Sequence, residues 1–283
     1  MSPAATWTLE PAVLLGVAAT AWLYLRRWRQ VAAEAGPGRP GIGRAASFLA
    51  GLGVVLLALI SPIDRLSDQL FFVHMIQHVL LLDLVPILLI SGLTKVILRP
   101  VTRRVQHVER ALGPLGDPVF AIVLYVAVVW TWHVPALYDA ALSHPGIHVL
   151  EHTTYAVAGS LYWWHLLSPI RSRRRLAGMG PALYMAATKL LVGLLGIVLV
   201  FAPSALYDFY AHQGGFWGLS PHSDQELAGG TMALEQSLVM GVALAVLFAR
   251  MLSESEREAV RAERAAERAG GPEPGDPAAP ATE

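Results

Sequence analysis

The residues of this chain best suited to chemistry are histidines, and their spacing is regular. His74 and His78 stand four apart, as do His148 and His152, with Glu151 inside the second pair. Residues four apart share a helical face, so each pair lets one helix offer two imidazoles to a single metal ion. His133, between the pairs in sequence, is a further candidate ligand. No cysteine is present, which removes thiolate ligands, cysteine nucleophiles and disulfides together. A histidine-rich site without thiolates suits copper, zinc or iron. Met75 and Met232 carry thioethers that favour Cu(I) if they ligate, and are ordinary packing if they do not. Glu151 either accepts a hydrogen bond from a ligating imidazole or binds the ion weakly itself. His144, Asp139 and Asp224 complete the polar set, the two aspartates either attracting cations or capping helices.

Such side chains must be held by helices in a bilayer. Of 283 residues, 54% are hydrophobic and 15% charged, against about a quarter charged in a soluble domain. The 21 basic and 21 acidic side chains cancel and form no basic face, which argues against nucleic acid as a partner. A helix needs about 20 mostly apolar residues to cross the hydrocarbon core. Seven stretches qualify, at 10–25, 45–61, 69–91, 118–138, 146–167, 181–202 and 224–250. The pattern describes an all-α integral membrane protein, a seven-transmembrane-helix bundle over residues 1–252, with a charged, Pro/Gly/Ala-rich tail at 253–283 that begins as a Glu/Arg/Ala helix and is expected to be disordered.

Loops rich in Lys and Arg stay in the cytoplasm. Arg26, Arg27, Arg29, Arg39 and Arg44 fall in the first loop, and Lys95, Arg99, Arg103, Arg104 and Arg110 in the third. Arg171, Arg173, Arg174 and Arg175 fall in the fifth, whereas the alternate loops hold only Arg65. The N-terminus is therefore expected outside and the C-terminus in the cytoplasm. On that topology, and at 1.5 Å per residue, His74 and His78 lie about 8 and 14 Å below the outer boundary, His133 about 8 Å and His148 to His152 about 3 to 10 Å. Ionisable groups within spans usually face the bundle interior, where they have a partner or a function. Asp83, Lys189 and Glu235 form a second polar layer about 16 to 21 Å deep by the same rise. Opposite charges at similar depth predict an intramembrane ion pair of Lys189 with Asp83 or Glu235, with a proton relay as the functional alternative.

His148-Val149-Leu150-Glu151-His152 fits the H-x-x-E-H pattern of zinc peptidases, which leaves a metal-dependent intramembrane hydrolase open, with zinc as its metal. Bis-histidine haem is open on the same residues. So is a metal-free assembly scaffold whose histidines only bond helix to helix. Four segments in order resemble one family: His74-Met75-Ile76-Gln77-His78; Trp132-His133-Val134-Pro135-Ala136-Leu137-Tyr138-Asp139; His144-Pro145 through His148, Glu151 and His152; and Asp224-Gln225-Glu226-Leu227-Ala228-Gly229-Gly230. They resemble the multi-span CtaG proteins of the Gram-positive type, assembly factors for cytochrome c oxidase, over most of residues 69 to 235. The resemblance implies a non-enzymatic, multi-pass protein of the bacterial plasma membrane. It would bind copper from an extracytoplasmic donor and deliver it to a nascent cytochrome c oxidase subunit. His74, His78, His133, His148 and His152 match the family's histidines, and Asp139 and Asp224 also match family positions.

Overall fold

The computed structural model describes residues 5–34, 40–170, 176, 178–213 and 215–269. Arg39, Arg171, Arg173, Arg174 and Arg175 of the charge pattern lie outside the described residues, as does the tail beyond 269. Among the described residues the regular elements are helical. They are α1 (Pro11–Glu34), α2 (Ile42–Ile60), α3 (Pro62–Ser67), α4 (Phe71–Val79), a π turn (Leu80–Leu84), α5 (Val85–Gly92), α6 (Lys95–Leu98), α7 (Thr102–Ala111), α8 (Pro118–Trp132), α9 (Pro135–Ser143), α10 (Pro145–Leu167), α11 (Gly180–Phe201), α12 (Asp208–Ala211) and α13 (Pro221–Ala269).

Three of the described helical segments are long and apolar enough to cross a membrane: α2, the run from Phe71 to Gly92, and α11. The pair α8 and α9, bent by 75° at Trp132–Pro135, would make a fourth. These helices fit a membrane protein. α10 carries too many polar groups to meet the same criterion, yet it is inside-out for a protein in water. Glu151 on it is fully buried, whereas Val149, Leu150 and Val157 are more than half exposed. Water favours the reverse arrangement, and a lipid environment favours this one.

The chain divides into two compact units, Met1–Gly241 and Val242–Glu283. In the second, α13 continues through Ala269, over the Glu/Arg/Ala stretch that opens the tail. The reason is composition, since residues 254–269 are mostly Ala, Glu and Arg, all strong helix formers.

Two prolines shape the first unit. Pro86 has no N–H to donate and its ring excludes the carbonyl of Leu82, so a regular α-helix cannot pass it. The chain responds with the π turn, in which Val85 N–H reaches back five residues to Leu80 O. The freed Leu82 carbonyl is covered by Gly159 of α10, where a Cβ would overlap it. Only glycine lets the two backbones approach so closely. Pro135 acts differently, pushing Val134 out of the helical region to φ −65°, ψ 121°. Helix α8 therefore ends at His133, and the chain turns a corner there. Around these features α10 packs on α8, on α5 and on the π turn, and α2 packs on α5.

Candidate metal centre

Helix α4 presents His74 and His78 one turn apart, and α10 presents Glu151 and His152 against them. One ligand atom from each of these four residues lies within 4.8 Å of the others. The His74 and His78 Nε2 atoms are 2.8 Å apart. Glu151 Oε1 is 3.4 Å from His78 Nε2, and its Oε2 is 3.8 Å from His74 Nε2. The carboxylate thus faces the same ring nitrogens that an ion would use, which puts it in a ligand's position rather than behind one.

Burial makes this arrangement expensive without a cation. His74 and Glu151 are fully buried. Neither Glu151 oxygen, nor His152 Nε2, has a hydrogen-bond partner among the described residues. A buried carboxylate without a donor costs several kcal/mol by order of magnitude. A metal ion would supply the missing partner, so the donor set fits one. The ring orientation of His74 fits as well. Tyr210 Oη donates to Ser67 O at 2.5 Å and so accepts from His74 Nδ1 at 3.2 Å. That fixes the proton on Nδ1 and leaves Nε2 as a bare lone pair toward the group.

Asp224 and Asp139 hold the frame. Asp224 accepts from Phe71 N at 2.6 Å and Phe72 N at 3.1 Å, which caps α4 from a helix 153 residues away in sequence. Asp139 does the same for α12 through Asp208 N and Phe209 N, and α12 carries Tyr210. Both aspartates cap helices other than their own. Tyr210 and the buried Tyr138, Tyr155 and Tyr207 were not singled out in the sequence. Tyr155 shares a helical face with Glu151 four residues earlier, a local signal that could have found it, whereas Tyr207 and Tyr210, at and just after the start of α12, have no local spacing to the histidines.

The remaining candidates fall into separate places. The His148 ring centroid is 4.2 Å from that of His152 and 5.4 Å from that of His74, yet His148 stands outside the four-residue group. It lines an open cavity of about 610 Å³ together with Arg65, Asp68, Gln69 and Gln213. Burial raises the Asp68 carboxyl above its ordinary value, the nearby Asp64 charge adding to the effect and Arg65 opposing it. Burial also raises Asp64, against hydrogen bonds from Thr8 and Gln77. His133 stands apart from the group, with Nδ1 at 2.7 Å from Val129 O and Nε2 at 3.3 Å from Met75 Sδ. His144 is exposed, its Nδ1 3.2 Å from Ala140 O.

In the deeper polar layer Asp83 and Glu235 lie together, and Lys189 is within electrostatic reach of Glu235. Asp83 is fully buried and accepts from Tyr125 Oη at 2.8 Å and Trp163 Nε1 at 2.6 Å. Its carboxylic neighbour is Glu235, and the two line one small cavity. Lys189 is exposed, its Nζ 3.5 Å from Ser237 Oγ. Met185, Val192 and Gly196, spaced four before, three after and seven after Lys189, are buried, so Lys189 stands at the margin of the packed face of α11 with its side chain exposed.

Comparison with known proteins is consistent with this picture. The cytochrome c oxidase caa3 assembly factor family matches residues 22–254. An uncharacterized protein of Mycobacterium leprae is 23% identical over 247 residues, covering 80% of this chain and 37% of that protein. Uncharacterized proteins of Mycobacterium bovis and Mycobacterium tuberculosis are each 25% identical over 242 residues, covering 80% of this chain and 36% of theirs. The chain thus spans little more than a third of the curated relatives it matches. No solved structure matches it.

Proposed function

We propose, from the premise that this chain belongs to the cytochrome c oxidase caa3 assembly factor family, that it binds copper and delivers it to a nascent oxidase subunit. One observation carries the proposal: ligand atoms of His74, His78, Glu151 and His152 converge to within 4.8 Å, three of the four residues buried, with both carboxylate oxygens lacking a donor. Imidazole and carboxylate hold a divalent or monovalent copper ion. Binding requires unprotonated imidazole nitrogens, so affinity falls as pH drops through the range in which imidazole protonates. The role is that of a metallochaperone rather than an enzyme. The protein crosses a bacterial plasma membrane seven times, N-terminus outside, and takes copper from an extracytoplasmic donor through the cavity that His148 lines. His148 and His133 serve the same cargo from outside the four-residue group.

Metal analysis of the purified protein tests the site. The wild type is expected to retain copper, and His74→Ala, His78→Ala and His152→Ala to lose it. Undiminished copper in all three variants would remove the site. The oxidase role has its own test: a deletion strain is expected to lose oxidase activity and oxidase copper when copper is scarce, and a normal oxidase in that strain would refute it. The same donor set also suits zinc in a hydrolase with Glu151 as general base. Under that function Glu151→Gln abolishes turnover, whereas a chaperone has none to lose.

A further inference from the structure

The four-residue group leaves out His133, Met75 and Met232. These three line a cavity of about 20 Å³, room for one water-sized body, together with His78, Asp83 and Glu235. All three are buried. The chemistry at the cavity wall is unusual. His133 Nδ1 is 2.7 Å from Val129 O, an atom that only accepts, so Nδ1 carries the ring proton and Nε2 is a bare lone pair. That lone pair faces Met75 Sδ at 3.3 Å, and a thioether sulfur has no proton either. Two acceptors at contact distance with no hydrogen between them are mismatched to each other and matched to a cation. A backbone carbonyl holding the other ring nitrogen is also how metal-ligating histidines are usually oriented.

The separation has the right size. With bond lengths of about 2.1 Å to nitrogen and about 2.3 Å to sulfur, as for zinc, 3.3 Å corresponds to an angle of about 100° at a shared ion. The thioether is a soft ligand and imidazole a borderline one, and a site that joins them favours Cu(I) over harder ions. Met232 brings a second thioether to the same cavity. His78 belongs to both places, since its Nε2 is in the four-residue group while its ring lines this cavity. Its Nδ1 is buried without a partner.

We propose that His133 Nε2, Met75 Sδ and Met232 form a second, soft-cation site that takes Cu(I), distinct from the four-residue centre and adjoining it at His78. The proposal deepens the copper reading above by giving the cargo two successive stations of different softness. Its test is separable from that reading. Purified full-length protein in lipid nanodiscs is loaded anaerobically with Cu(I) and, separately, with Zn(II), and metal per chain and X-ray absorption are measured. The wild type is expected to bind one more ion of Cu(I) than of Zn(II), with sulfur in the copper shell and only nitrogen and oxygen around zinc. Met75→Leu conserves volume and fold. It is expected to lose one Cu(I) and most of the sulfur signal while keeping Zn(II). A wild-type copper shell without sulfur, or a Met75→Leu variant with unchanged Cu(I) count and sulfur signal, overturns the second site. So does a wild type that takes up no Cu(I). Sulfur that survives in His152→Ala upholds the second site even where the four-residue centre has failed.

Discussion

Glu151→Gln separates the cost of the carboxylate from its use. Glu151 has no exposed surface, and its oxygens sit 3.4 and 3.8 Å from two histidine nitrogens without a donor. In the metal-free protein this buried carboxyl group has no donor, and replacing it with a neutral amide of the same shape is neutral or stabilising. The amide is therefore expected to leave the metal-free unfolding temperature unchanged or higher. With metal the sign reverses. Losing a group that ligates or orients a ligand weakens metal affinity by about 10- to 100-fold. At metal 1,000-fold above the wild-type Kd, linkage stabilises the wild type by about 4.1 kcal/mol. A 100-fold weaker variant at the same concentration gains about 1.4 kcal/mol. The difference of about 2.7 kcal/mol corresponds to a metal-induced shift smaller by roughly 5–10 °C. The assay is thermal unfolding of both proteins in nanodiscs, with and without copper. An equal copper-induced shift in both would refute the placement of Glu151 among the ligands, and a lower metal-free stability of the variant would refute the claim that the carboxyl group lacks a partner.

Three further outcomes follow from the same geometry. Gly159→Ala forces a methyl into the Leu82 carbonyl; it is expected to cost about 1–3 kcal/mol or more and to lower metal occupancy, while Gly146→Ala, with open space around it, does neither, as unfolding and metal analysis will report. Asp224→Ala removes both acceptors that hold Phe71 and Phe72, so about 1–3 kcal/mol is lost and hydrogen exchange rises at the start of α4; unchanged protection there counts against the cap. His148→Gln is expected to slow copper uptake in stopped-flow loading without changing the final metal content, and wild-type uptake is expected to slow as pH falls through a range above that of an ordinary aspartate, because a raised Asp68 loses its charge sooner on the way down; an unchanged rate in the variant removes the cavity as the route.

How much was legible in the sequence depended on whether the information was local. The pairs His74/His78 and His148/His152 were readable because a shared helical face depends only on four-residue spacing. Depth along the membrane normal brought the right helices to one level, but depth says nothing about azimuth. Lys189 shows this, its side chain exposed at the margin of the packed face of α11 with Nζ turned to Ser237. The partners of Asp83, Tyr125 and Trp163, were illegible for another reason. The phase of Asp83 relative to His78 is set by the π turn, whose extra residue per turn is a response to Pro86 that a regular periodicity count does not include. The caps from Asp224 and Asp139 join residues 153 and 69 or 70 positions apart, and no pattern within a single segment carries them.

The candidate metal centre is assembled by a contact that includes none of its four residues. Leu82 follows His74 by eight residues and Gly159 follows Glu151 by eight, so the touch of Gly159 on the Leu82 carbonyl lies about 12 Å along each helix from the ligands. Equal offsets on two helices running the same way mean that this one backbone contact sets their relative height. A slip of one residue there would move Glu151 and His152 by about 1.5 Å and turn them by about 100° relative to His74 and His78, and donors now within 4.8 Å of one another would no longer converge. The carbonyl is free for the contact because Pro86 cannot use it. A proline, the π turn it causes and a glycine two turns below the ligands are thus as much a part of the site as the imidazoles, and they explain why α4 carries its break just past His78 and not elsewhere along its length.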